Sequence, residues 1–264
     1  MRKSLLSLAV LSTLAMPALS FADEATPAVA PAPEAAPVNT VAYNVGLYSQ
    51  YIFRGLTQTA NKPAIQGGVD YTNISGFYLG TWASNVSWLE DYTGPGYQNS
   101  SLELDLYGGY RGAIKDVAYD VGLLQYVYPG TPKAGQPRAE TTEVYGSLAY
   151  KWVTAKLSVA VSDKVFGNVN ASGTYYADIT ANYPVTDTIT ATAHVGRQEY
   201  SGSGNDNFSY TDWKIGASKA FANGVTVGAY YTDTNAKVAG YGPAAYVGGN
   251  IADAQGTIYV QKTF

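Results

Sequence analysis

From residue 41 onward, apolar and polar positions alternate with a period of two, in stretches of strand length. In 41–54, Val41, Tyr43, Val45, Leu47, Tyr51 and Phe53 share one face, while Asn44, Gly46, Gln50 and Arg54 share the other. Successive side chains of a strand point to opposite sides, so the pattern describes a wall with one greasy and one wet face. Segment 101–111 repeats it, with Leu102, Leu104, Leu106 and Tyr110 against Glu103, Asp105, Tyr107 and Arg111. Segment 117–128 sets Val121, Leu123 and Val127 against Asp120, Gly122 and Tyr126. Read this way, the chain holds 12 strands, near 41–54, 63–72, 76–86, 100–111, 117–128, 140–151, 154–163, 173–183, 188–200, 209–220, 224–234 and 251–264.

The joints alternate in length. Tight ones fall at 73–75, 112–116, 152–153, 184–187 and 221–223; long ones fall at 55–62, 87–99, 129–139, 164–172, 201–208 and 235–250. The long set collects Gly, Pro and Asn, which favour turns and irregular backbone. An up-and-down sheet closed into a membrane barrel requires such alternation, and an even strand count brings both ends to one rim. The predicted fold class is therefore all-β, a transmembrane up-and-down antiparallel β-barrel of about 12 strands.

Two placements favour a lipid-facing wall over an exported β-sandwich. Charges on the apolar phase (Asp163, Arg197, Lys219, Asp233 and Lys262) fall near strand ends. Lys or Arg costs about 2–4 kcal/mol at the bilayer midplane and little near the interface. Aromatics of the same phase (Tyr43, Tyr71, Phe77, Tyr110, Tyr119, Tyr150, Tyr183, Phe221 and Phe264) gather at the short-joint rim as an interfacial girdle. A sandwich explains alternation but neither of these features.

The N-terminus reads as an export signal. Arg2 and Lys3 precede an apolar run from Leu5 to Ala15, and Ser20-Phe21-Ala22 offers a cleavage site after Ala22. The expected domains are a signal peptide over 1–22, a leader over 23–40 and a barrel over 41–264. The leader holds four prolines and six alanines, a composition suited to an extended tether. No later run approaches the roughly 18 apolar residues that a spanning helix needs. The chain carries a net charge of −4 and no cysteine. It has no clustered Lys and Arg to bind nucleic acid, and no thiolate metal site or disulfide framework. No dinucleotide fingerprint, phosphate loop or metal-ligand cluster is present, so no cofactor is expected.

Certain segments are familiar. Ser49-Gln50-Tyr51-Ile52-Phe53-Arg54-Gly55, Thr57-Gln58-Thr59 and Pro63-Ala64-Ile65-Gln66-Gly67-Gly68-Val69-Asp70-Tyr71 resemble the opening of TorF-type porins. Ser75-Gly76-Phe77-Tyr78-Leu79-Gly80-Thr81-Trp82, Tyr119-Asp120-Val121-Gly122 and Tyr128-Pro129-Gly130 extend the resemblance, which runs from about Tyr43 to Phe264. It implies a barrel in the outer membrane of a Gram-negative bacterium, with a pore role and no assigned substrate. The C-terminal strand, with Ile258 and Val260 in phase with Phe264, is typical of chains handed to the barrel-assembly machinery. Lys262 stands where such strands more often carry an apolar residue.

The inward phase supplies the candidate pore lining: Arg54, Gln66, Asp70, Glu103, Asp105, Arg111, Asp120, Glu143, Lys156, Asp178 and Lys214, with Lys151 and His194 on the same phase. Charges of both signs, with acids slightly ahead, imply passive, weakly selective diffusion of small hydrophilic solutes or ions. Each charge could equally be paired across neighbouring strands. An alternative is an interaction or adhesion barrel acting through its long loops, with Trp88, Tyr92, Tyr97 and Tyr241 as exposed contact rings. Enzymatic lipid hydrolysis is not expected, because the lone His194 has Gly196 where a serine would be needed.

Overall fold

The structure, a computed structural model, describes residues 38–93 and 96–264. Twelve strands close into one barrel: β1 (Asn39–Tyr48), β2 (Ala64–Asn73), β3 (Phe77–Asn85), β4 (Leu102–Ile114), β5 (Val117–Val127), β6 (Thr141–Tyr150), β7 (Val153–Ala160), β8 (Tyr175–Pro184), β9 (Ile189–Glu199), β10 (Tyr210–Ala220), β11 (Val225–Thr234) and β12 (Gln255–Thr263). Each pairs antiparallel with its sequence neighbours, and β1 also pairs with β12, from Asn44 opposite Thr263 to Tyr48 opposite Tyr259. Closure leaves no edge strand, so the backbone of the wall is satisfied without water.

The period-two pattern sets the two faces as expected. Outward Val45, Leu47, Leu79, Leu106, Val121, Leu148, Leu157, Ile179 and Ile258 are all exposed, a continuous apolar belt. The girdle residues Tyr43, Phe77, Tyr183 and Phe264 stand on the short-joint rim with much of their rings exposed. Lys262 lies at that rim too, its Nζ donating to the Asn223 carbonyl and stacking over Phe264.

Three expectations are corrected. β1 stops at Tyr48 rather than near 54, because Arg54 (φ 47) and Gly55 (φ 82) are consecutive left-handed residues. They close a tight hairpin pairing Ile52–Phe53 with Leu56–Thr57, which turns the chain off the wall. Tyr51 and Phe53 thus leave the apolar outer face, and Tyr51 is buried. β12 begins at Gln255, since the Ile251 amide is tied to the Tyr241 carbonyl inside the preceding loop. Lys151 sits at a left-handed turn position (φ 53) on the rim and does not face the lumen. The barrel begins at Asn39, within the expected leader; the export signal and the leader up to residue 37 lie outside the described residues.

Along the inner wall, tyrosines lie flat against glycines of the adjacent strand: Tyr107 on Gly80, Tyr145 on Gly122, Tyr176 on Gly196 and Tyr259 on Gly228. A Cβ on any of these glycines would overlap the ring that covers it. The bare backbone makes room for the ring, and the ring shields the bare backbone.

Candidate functional site

Segment 49–63, between β1 and β2, does not extend away from the barrel. It folds inward and crosses the lumen. Its base is held by Gln50 Nε2, which donates to the Gly256 carbonyl at 3.1 Å, and by the Thr57 amide, which donates to the Ile251 carbonyl at 2.9 Å. Tyr51 donates its hydroxyl to Glu103 on β4 at 2.7 Å and packs edge-on against Trp82 at 5.3 Å.

The hairpin tip carries Arg54 to the far wall. Its Nη2 lies 2.7 Å from Glu143 Oε2 on β6, and its Nη1 donates to Gln198 Oε1 on β9 at 2.8 Å. Its guanidinium sits 4.4 Å from the ring centroid of Tyr176 on β8. Phe53 packs edge-on against Tyr126 of β5 and against Phe166, each at 5.7 Å. In a ring of twelve strands, β6 to β9 lie opposite β1 and β2, so the tip spans the bore. The pair is dry, with side chains 6% and 2% exposed.

Around this clasp the lumen is filled. Buried inward residues occur on every strand, among them Gln66, Ser84, Glu103, Leu124, Glu143, Lys156, Asp178, Gln198, Asp212, Thr232 and Thr257. Of the expected pore-lining set, Gln66, Glu103, Asp105, Asp120, Glu143, Lys156 and Asp178 are buried, while Asp70, Arg111 and Lys214 are partly exposed. All face inward, but most are engaged with neighbours. Tyr107 donates to Asp70 at 2.7 Å, and Arg111 Nη2 donates to Thr72 Oγ1 at 2.6 Å. Tyr78 donates to Asp120 at 2.6 Å and contacts the Tyr145 hydroxyl. Lys156 lies over Tyr145 at 4.3 Å and Lys214 over Tyr230 at 5.3 Å. Asp105 is the exception, because its buried Oδ1 has no partner among the described residues.

His194 belongs to this network. Its Nε2 is 3.1 Å from Asp212 Oδ2 and 2.9 Å from the Tyr176 hydroxyl, and its Nδ1 is 2.8 Å from Thr180 Oγ1. No serine is among these partners, and Gly196 is covered by the Tyr176 ring, which leaves no room for a serine side chain. Among the described residues no three His, Asp or Glu side chains converge as a metal site.

Toward the long-loop rim, above the clasp, lies a cavity of about 350 Å³. Phe53 and Gln198 contribute to its lining beside the clasp, together with Trp88, Tyr92, Phe166, Phe208, Tyr241 and Tyr246 from the loops. Tyr92 and Tyr246 meet at 5.2 Å, and Trp88 packs edge-on to Tyr128 at 5.5 Å. The four loop aromatics expected to be exposed instead turn inward: Tyr97 and Tyr241 are buried, and Trp88 and Tyr92 are half-buried. Burial pushes the Tyr241 and Tyr246 phenols above their ordinary range, which keeps both uncharged.

Sequence reading named Arg54 and Glu143 but missed Gln198 and Tyr176, which complete the clasp, and Asp212, against which the turn packs at Gly55. Asp212 is in phase with Lys214, so period two alone identifies it as inward. Tyr176 and Gln198 are in phase with Asp178 and His194 in the same way. The convergence of Glu143, Tyr176 and Gln198 on Arg54 carries no sequence signal, because it depends on a contact across the bore.

Solved structures share this architecture. KdgM porin superposes with a TM-score of 0.52 at 8% identity, covering 86% of this chain and 99% of that one. KdgM porin in complex with disordered oligogalacturonate gives a TM-score of 0.51, also at 8% identity, covering 86% of this chain and 99% of that chain. An outer membrane channel from Pseudomonas putida F1 gives a TM-score of 0.50 at 14% identity, covering 90% of this chain and all (100%) of that one. At these identities the likeness is one of fold. No curated protein matches the chain. A family model described as "Bacterial protein of unknown function (Gcw_chp)" matches residues 32–264, and the chain belongs to that family.

Proposed function

We propose that the protein is an outer-membrane channel for small hydrophilic solutes or ions, reached after cleavage of the export signal, and that segment 49–63 holds it closed. The observation that carries this reading is the Arg54–Glu143 pair. A barrel built to stay solid would gain more from apolar filling, since a buried ion pair loses much of its attraction to desolvation. Such a pair suits a contact that is made and broken, because each partner regains hydration when the tip withdraws. The charges left on the wall are of mixed sign with acids ahead, which supports weak selectivity with a slight preference for cations. The TorF-type resemblance and the fold of the superposed porins support the same class. Phe264, whose amide donates to the Tyr43 carbonyl at 2.9 Å, would deliver the closing strand to the assembly machinery.

Planar-bilayer recording of the mature chain tests the proposal. Brief, discrete openings separated by long closed intervals are expected, with weak cation preference. A silent bilayer with correctly folded protein present, including for variants that lack the clasp, removes the channel reading.

A further inference from the structure

We propose that the aromatic chamber above the clasp is a binding site for a neutral carbohydrate about the size of a disaccharide. Its volume, about 350 Å³, is at the small end of ligand pockets, which run from roughly 300 to 1,000 Å³. Aromatic faces are electron-rich and attract the weakly positive C–H face of a pyranose ring, so stacked rings are the natural walls for a sugar. None of the side chains lining the chamber is acidic or basic, which gives an ionised ligand no counter-charge. The lining is not purely apolar either. Gln58, Gln136, Asn168 and Asn205 border it. The Trp88 Nε1–H, also in the lining, is buried without an acceptor. A buried donor left unpaired is costly, and a ligand hydroxyl placed there would satisfy it. Neutral, flat-faced and hydroxylated is the chemistry of an uncharged sugar. An alkyl chain would leave the indole donor unmet, and an acidic sugar would bury a charge beside neutral phenols.

This inference does not rest on conduction, and binding is measured without a membrane potential. The mature chain in a sugar-free amine-oxide detergent is titrated with maltose and cellobiose, followed by tryptophan fluorescence and calorimetry. Digalacturonate serves as the acidic comparator and octanol as the apolar one. Saturable binding of at least one neutral disaccharide is expected, with both comparators at least about tenfold weaker, the factor attached to one buried charge-free hydrogen bond. Trp88→Phe keeps a ring but loses the donor and should weaken binding several-fold; Trp88→Ala should abolish it. Gln136→Ala should also weaken binding, and it leaves the fold alone because that side chain has no partner among the described residues. The proposal is overturned by absence of saturable neutral-sugar binding, by tighter binding of either comparator, or by affinity unchanged in both Trp88→Phe and Gln136→Ala.

Discussion

Arg54 and Glu143 stand 89 residues apart in sequence and 2.7 Å apart in space, joined across the full bore of the barrel. Among the described residues neither forms a second ion pair, although Glu103, Asp105 and Asp178 act on the guanidinium and Lys156 on the carboxylate at longer range. Replacing Glu143 with Gln strands the guanidinium, and breaking one side of a buried pair costs about 3–5 kcal/mol. The tip can escape that cost by withdrawing toward water. Glu143→Gln and Arg54→Ala should therefore raise the open fraction by orders of magnitude in bilayer recordings, and restoring charge with Glu143→Asp should largely reverse the effect. Unchanged closed times in both variants would separate the clasp from gating.

Gly55 offers a route to the same opening with no change of charge. Its φ of +82 is left-handed, and a Cβ would come within 2.6 Å of Asp212 Cβ. Gly55→Ala therefore strains the hairpin and pushes the tip off β10. Shorter closed intervals are expected, with the barrel's heat-modifiable gel shift intact. A variant with the parent's closed intervals would show that the tip tolerates displacement.

The outer belt predicts a depth-dependent cost of charge. Val121 is exposed at mid-height of β5, while Val117 sits beside the short turn. Val121→Arg should lower the stability of the barrel in vesicles by about 2–4 kcal/mol, and Val117→Arg by about 0–1 kcal/mol. Urea titration of folding into lipid measures both, and equal losses would argue against a bilayer centred on Val121.

At the last strand, deleting Phe264 removes its 2.9 Å amide bond to the Tyr43 carbonyl, the long 3.4 Å bond from the Tyr43 amide to its own carbonyl, and a ring that is 68% exposed. Equilibrium stability should fall by only about 1 kcal/mol. The assembly role proposed for the ring implies that the amount assembled in cells should fall several-fold. Quantitative membrane fractionation beside in vitro unfolding distinguishes the two effects, and equal, small losses in both would remove the assembly role.

Much of the wall could be read directly from the chain. Alternation in 101–111 and 117–128 places Glu103, Asp105, Asp120 and Tyr126 on the correct face, because that periodicity is local. Alternating joint lengths reveal closure for the same reason. Arg54 shows where such reading ends. Period two assigns it to the wet face but cannot tell that the strand has already stopped at Tyr48. An Arg-Gly pair is a weaker hairpin signature than Asn-Gly or Asp-Gly, so the turn is easily read through. The inward roll of Trp88, Tyr92, Tyr97 and Tyr241 is equally hidden, since it follows from loops packing on one another far apart in sequence.

The four tyrosines laid on glycines also decide how much space the crossing hairpin has. A single methyl at Gly122 would lift the Tyr145 ring toward Lys156 and the centre of the barrel. The width of the bore is thus written in missing side-chain atoms, and glycines that carry no charge themselves become determinants of whether the hairpin seats.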